Sequence, residues 1–359
     1  APTRIRDVAV RACNVPLDPP VETAAGSVTA APLAVVEIAT EAGVTGTSYI
    51  FTYTPAALGP TAALTANLGA LLRGQPLAPL DLHRMLLARL KLLGAQGLAL
   101  MAVGALDMAA WDTAARIAGL PLCRLLGAAP RPVPVYASLR AMLPVPLADE
   151  AGAAVAAGFR GAKIRLGHSD FARDLDVLCA VRATIGDGVE LMVDYNQSLP
   201  VPEAIRRGAR LDAEGLAWIE EPVAAEDLAG QAAAAAALAT PVQSGENWWG
   251  PPDMARALTA RATDLAMPDA MKIGGVTGWL RAAALAEAAG MPLSSHLFVE
   301  ASAHLLAATP TAHRLEWLDL AAPLLRAPAV RLEGGMATAG DGPGLGLEWD
   351  TAALARYAG

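Results

Sequence analysis

The sequence predicts an α/β protein built on a closed barrel of parallel strands with a second domain beside it. Three observations carry that expectation. Between residues 160 and 317 a short apolar run ending in one or two charged or polar residues recurs at intervals of about 25 residues. The ends read Lys163 and Arg165, Asp194 and Asn196, Glu220 and Glu221, Glu246 and Asn247, Asp269, His296 and Glu316. The segments ELMV before Asp194, LAWI before Glu220 and PLSS before His296 are too short and too punctuated for helices, whereas residues 201–211, 252–261 and 278–289 between such ends are helical in pattern. Strand, loop and helix repeated without a reversal favours closure into a barrel of roughly 250 residues. A chain of 359 residues leaves room for another domain. All strand ends of a parallel barrel open on one face, so charged residues scattered in sequence converge on one pocket.

Taken in order, residues 1–55 alternate in strand fashion: Arg4 to Arg11, Ala34 to Ile38 and Gly46 to Ile50 form an antiparallel meander, with residues 15–30 as a long connecting loop whose length marks it as a lid. Residues 60–125 are helical, with one apolar face from Leu82, Met85, Leu86, Leu90 and Leu93 and another from Ala102, Ala105, Leu106 and Ala109. Pro130, Pro132 and Pro134 mark a linker before the first barrel strand, Val133 to Leu139. After Glu316 the barrel pattern stops, and residues 325–359 return to cover the N-terminal domain, with the glycine-rich stretch 340–346 as a turn.

Composition narrows the function classes. The net charge of −8 and the lack of a Lys/Arg cluster argue against a nucleic-acid partner. The longest bland run, Gln231 to Thr240, is shorter than the roughly 20 residues of a membrane span, so no membrane partner is expected. Ala1 to Val8 lacks the apolar stretch of a secretory signal. Cys13, Cys123 and Cys179 are odd in number and far apart, and are expected as reduced core residues of a cytoplasmic protein. Of the 27 basic residues only Lys91, Lys163 and Lys272 are lysine. Against that arginine bias a lysine carries information, and two of the three fall at the expected barrel mouth.

The chemistry sits at the strand ends. Asp194, Glu220 and Glu246 are evenly spaced, one carboxylate per successive strand end. Brought together they repel unless a cation lies among them, and an all-oxygen set selects Mg²⁺, with Mn²⁺ as the alternative, over zinc. Asp269 and His296 end two later strands. An Asp bonded to one imidazole nitrogen leaves the other as a proton acceptor, as general base catalysis requires. His83, His168, His304 and His313 are expected to be structural. There is no Gly-x-Ser-x-Gly elbow, so Ser294, Ser295 and His296 do not make a hydrolase.

Six stretches together resemble the mandelate racemase group of the enolase superfamily: Lys163-Ile164-Arg165, Val193-Asp194-Tyr195-Asn196-Gln197, Trp218-Ile219-Glu220-Glu221-Pro222, Gly245-Glu246-Asn247-Trp248, Met267-Pro268-Asp269 through Gly275, and Ser295-His296-Leu297. Asn14 to Leu17 and Phe51 to Pro55 extend the likeness to the N-terminal region. The resemblance implies a modified (β/α)7β TIM-type barrel at residues 129–324. Its α+β capping domain is formed by residues 1–128 and the C-terminal segment 325–359. It further implies that Asp194, Glu220 and Glu246 hold Mg²⁺, that the partner is a small-molecule 2-hydroxy carboxylate, and that the chain assembles as a homo-oligomer, an octamer in the group. Lys163 would lie against the substrate carboxylate and Glu316 would donate a hydrogen bond to it, with Ser138 and Asn196 as further polar contacts. His296, oriented by Asp269, would take or return the α-proton. Val21, Val28 and Tyr53 match lid positions, and their apolar character favours an aryl or alkyl acid over a sugar acid.

The departure from the group is Arg165. The group's racemase has lysine there as a second base on the other face of the substrate, and arginine stays protonated in nearly every protein setting. The expected activity is therefore α-proton abstraction with racemase-type chemistry ahead. A dehydratase using His296 as its only base is the first alternative, and a weakened homologue that only binds metal or carboxylate is the second. Lys272 is expected to make a structural ion pair with a carboxylate such as Glu221.

Overall fold

A computed structural model describes residues 3–24 and 26–359. The N-terminal part opens with three strands, β1 (Ile5–Thr23), β2 (Gly26–Thr40) and β3 (Thr45–Phe51), paired antiparallel in that order. Residues 15–30 are therefore not a loop. They are the far half of a hairpin, with Val21 opposite Val28. Pro16, Pro19 and Pro20 are accommodated because β1 is an edge strand and its register shifts between Pro16 and Val21. Helices α1 (Pro55–Ala70), α2 (Pro79–Arg89), α3 (Leu98–Ala118) and α4 (Leu122–Leu125) follow. Leu82, Leu86 and Leu90 are buried as expected, but α2 ends at Arg89 and Leu93, in the turn beyond it, is exposed.

By length and composition α3 could cross a membrane, yet its apolar window is 83% buried inside the protein. Its job is to join the two domains. Gly104 lies so close to the backbone of Met271 that a Cβ would meet Met271 O at 2.4 Å. Asp112, fully buried, accepts from Thr47 N at 2.7 Å, Leu345 N at 2.6 Å and Arg116 Nε at 2.6 Å, tying β3, α3 and the C-terminal segment together.

The barrel begins with β4 (Val133–Ser138) and continues through α5 (Pro144–Ala156), β5 (Gly161–Arg165), α6 (Phe171–Ile185), β6 (Glu190–Asp194), α7 (Val201–Leu211), β7 (Ile219–Glu220), α8 (Leu228–Ala237), β8 (Val242–Ser244), α9 (Pro251–Ala260), β9 (Leu265–Ala266), α10 (Gly275–Ala289), α11 (Val299–Ala307) and β10 (Leu315–Trp317). Leu293 and His296 supply the strand position between β9 and β10 through bridges to Ala266, Asp269 and Ala312. Because β10 pairs parallel with β4, the sheet closes. This is the (β/α)7β barrel with an N-terminal capping domain. The last strands, β11 (Val330–Glu333) and β12 (Met336–Ala339), form a hairpin that joins the barrel sheet beside Val133 and Pro134. Beyond Gly344 the chain reaches the cap through Trp349 and the short α12 (Thr351–Arg356), with Asn14 N donating to Tyr357 O at 2.8 Å. Cys13 and Cys123 are buried, but Cys179 is exposed. It lies off the stripe of Val177, Leu178, Val181 and Ile185 that α6 turns to the core.

Candidate active site

The two-residue period of a strand builds the site in layers. Tyr136, Met192 and Trp218 fill the barrel interior, the Tyr136 and Trp218 rings meeting edge to face at 5.3 Å. Gly161, below Lys163, keeps room for the Tyr136 side chain. One pleat further toward the mouth stand Ser138, Lys163, Asp194 and Glu220, all buried. Each apolar filler thus carries a polar residue two positions later.

Asp194, Glu220 and Glu246 present one oxygen each within 4.8 Å of one another. Glu246 lies two residues past β8, on the turn rather than in the strand. The set is held from behind: Asn196 N and Nδ2 donate to the two Asp194 oxygens at 2.8 and 3.0 Å, and Trp218 Nε1 donates to Glu220 Oε2 at 3.0 Å. Burial pushes the Glu220 carboxyl up to about 8 against the pull of Lys163, with Asp194, Glu316 and Glu246 adding repulsion. A crowded, buried, all-oxygen cluster of this kind fits a hard divalent cation, which removes the repulsion.

Lys163 reaches three carboxylates: Glu220, Glu316 at 2.8 Å and Asp194 at 3.3 Å. Burial disfavours its charge, but these acids outweigh it and raise its pKa well above the ordinary lysine value. The family resemblance implies that Glu316 donates a hydrogen bond. In the structure both its oxygens accept, one from Lys163 and the other from Leu297 N at 3.0 Å. Burial raises its pKa, yet Lys163 and His296 bring it down to about 2.

His296 Nδ1 lies 2.7 Å from Asp269 Oδ2, and Asp269 Oδ1 accepts from Met271 N and Lys272 N at 2.8 and 2.9 Å. That fixes Asp269 as an acceptor toward the ring and leaves Nε2 facing Glu246 at 3.3 Å and Glu316 at 3.9 Å. Burial lowers the imidazole, while Glu246, the Asp269 hydrogen bond and Glu316 more than reverse this, to about 9.

A cavity of about 370 Å³ opens over these groups. Its polar wall holds Lys163, Arg165, Asp194, Asn196, Glu246 and His296 with Gln197, Glu221, Asn247 and Lys272 beside them, and Val21, Thr23, Val28 and Tyr53 line it from the cap. Ser138 is not in the wall but bonds Arg165 Nη2 at 3.3 Å. The sequence reading missed Leu17 and Phe51 from the cap and Leu297, Leu318 and Leu320 from the barrel, which make the lining more apolar still. Leu318 and Leu320 continue the two-residue step from Glu316, a signal the sequence did hold.

Lys272 makes no direct ion pair with Glu221 among the described residues. Its Nζ donates to Asn247 Oδ1 at 2.7 Å, and Asn247 Nδ2 reaches both Glu221 oxygens at 2.9 and 3.0 Å. Of the seven described non-glycine residues with positive φ, Tyr53, Asn196, Gln197, Glu221, Leu297 and Phe298 all sit at or beside this mouth. Backbone strain concentrated this way marks a functional site.

The fold and the carboxylate triad define a capped barrel enzyme with a divalent-cation centre. Comparison with known proteins makes this specific. Residues 146–353 match the family described as enolase C-terminal domain-like, and residues 5–127 match the mandelate racemase/muconate lactonizing enzyme N-terminal domain. The chain belongs to the enolase superfamily, and its acidic triad is that superfamily's Mg²⁺ site. An enolase from Bradyrhizobium, solved with magnesium and mandelic acid, superposes with a TM-score of 0.95 at 45% identity, over 100% of this chain and 99% of that one. A 3,6-anhydro-alpha-L-galactonate cycloisomerase from Streptomyces coelicolor is 33% identical over 91% of each chain. An L-talarate/galactarate dehydratase from Salmonella typhimurium is 36% identical over 71% of this chain and 64% of its own length. Relatives thus include dehydratases, cycloisomerases and epimerases.

Proposed function

We propose that the protein abstracts the α-proton of a small aryl or alkyl 2-hydroxy carboxylate by the chemistry of the mandelate racemase group, with His296 as the base. The observation that carries this reading is the His296–Asp269 pair beside the triad, under apolar side chains contributed by the cap (Leu17, Val21, Val28 and Phe51) and by the segment after β10 (Leu318 and Leu320). A polyhydroxylated acid would leave its hydroxyls unpaired against those side chains. The structure with mandelic acid bound to a 45% identical relative supports the same substrate class.

Each side chain has a part. Asp194, Glu220 and Glu246 would hold the Mg²⁺, which when bound would supply positive charge to stabilise the substrate's developing negative charge. Lys163 offers an ammonium already oriented toward the carboxylate, so the charge that develops on its oxygens meets a donor that needs no reorganisation. Asn196 keeps Asp194 aligned and leaves its own Oδ1, buried and without a protein partner, for the substrate. His296 Nε2 takes the α-proton, and Asp269 stabilises the imidazolium that results. For Glu316 to donate to the enediolate it must first take up a proton, because both its oxygens accept here.

A second reading has its own support. Arg165 stands where a second base would be, a one-base enzyme can eliminate a β-hydroxyl, and a relative of this chain is an L-talarate/galactarate dehydratase. Incubation with mandelate and Mg²⁺ in D₂O, followed by proton NMR, separates the two. The α-proton signal is expected to vanish without any 2-keto acid. Keto-acid formation from hydroxylated acids, with mandelate inert, would transfer the assignment to the dehydratase.

A further inference from the structure

We propose that Arg165 is a positioning residue that holds the β1–β2 hairpin closed over the cavity, and that it does so by pinning the turn on which the hairpin latches. This rests on the cavity being the substrate site, as argued above. Arg165 ends β5 and is buried. Its Nη1 donates to Leu139 O and its Nη2 to Ser138 Oγ at 3.3 Å, so the guanidinium fork grips the end of β4. The next residue in that turn, Arg140, carries the hairpin. Arg140 O accepts from Glu22 N at 2.8 Å, and Arg140 Nη1 donates to Pro19 O at 3.1 Å. Glu150 Oε2 fixes the turn from outside through Arg140 N at 2.7 Å and Ala141 N at 3.2 Å.

The hairpin also touches the barrel on the other side of Arg165. Gly167, two residues on, has φ +118, and a Cβ there would lie 2.9 Å from the Ala24 Cβ and 2.8 Å from Ser198 Oγ. The tip of the hairpin rests on bare backbone that only glycine provides. Arg165 therefore sits beneath both points of contact. Its third nitrogen, Nε, is buried in the cavity wall without a protein partner. One edge of the guanidinium holds the lid's turn and the Nε edge is left for a substrate oxygen, so ligand binding and lid closure meet in one planar group. A lysine has a single ammonium on a flexible stem and cannot serve both.

Amide hydrogen exchange of the full-length protein, without substrate, tests this directly. Arg165→Met and Arg165→Lys should each accelerate exchange in residues 16–30 by about tenfold, leaving β6 to β8 unchanged. Adding Arg140→Ala to Arg165→Met should give little further acceleration, because both act on one latch. With substrate, KM should rise more than kcat falls on the His296 face. Unchanged hairpin exchange in both Arg165 variants would overturn the proposal, and so would acceleration spread equally through the barrel strands, which would make Arg165 a general stabiliser. Since exchange needs no turnover, failure of the substrate assignment would leave this result readable.

Discussion

His296 and Arg165 stand on different walls of one cavity and have been given opposite electrostatic work. The imidazole is a single group with one nitrogen committed to Asp269 and the other open, beside carboxylates that hold its proton affinity high. The guanidinium has two of its nitrogens engaged by Leu139 and Ser138, and a guanidinium is a donor only, a poor base in any protein setting. The first wall can take and return a proton. The second can only hold. A superfamily site can thus be read as two half-sites whose chemistry is set separately, with the metal floor kept while one wall changes what it does.

The largest expected effect comes from removing the working wall. His296→Asn should cut α-proton exchange by about 10⁴, while thermal stabilisation of the protein by Mg²⁺ stays nearly intact. Loss of Mg²⁺ binding along with exchange would mean that the imidazole serves the cation site instead. A histidine outside the cluster provides the control. His304, on α11, is buried, and burial lowers it to about 4. The unfolded chain takes up a proton near pH 6.5 and the folded chain only near 4, so stability is full above about 6.5 and falls as pH drops toward 4, by about 3 kcal/mol. Urea unfolding of His304→Gln should show a flatter pH dependence across that window. An unchanged slope would remove burial as what separates the two histidines.

Smaller changes sharpen the comparison further. Trp218→Phe leaves the ring stack but removes the Nε1 donor to Glu220, and should weaken Mg²⁺ binding by about tenfold. Calorimetry finding equal affinity would show that Glu220 needs no help from below. Arg165→Lys should let exchange appear on the second face, to a modest extent because the lysine loses the Leu139 grip. If that face stays silent, arginine is not what closes it.

Much of this was legible in the sequence because strand periodicity forces it. Asp194 and Glu220 end apolar runs, and a parallel barrel gathers strand ends at one face, so the triad and the His296–Asp269 pair could be placed without coordinates. The hairpin was not legible: Pro16, Pro19 and Pro20 read as a loop, and only the edge position of β1 and its register shift let them stand in a strand. Nor was the link from Lys272 through Asn247 to Glu221, since it joins three turns whose mutual approach depends on barrel closure. Arg165 was visible as a departure, but its grip on Leu139 is a tertiary contact that no spacing announces.

On the proposed function only one wall of the cavity moves protons. Separate incubation of the two enantiomers of mandelate with the Mg²⁺-loaded enzyme in D₂O measures it. The enantiomer whose α-proton faces His296, by resemblance the R form, should exchange at least about a hundredfold faster than the other. Equal exchange from both would contradict the account, because Arg165 would then be acting as a base.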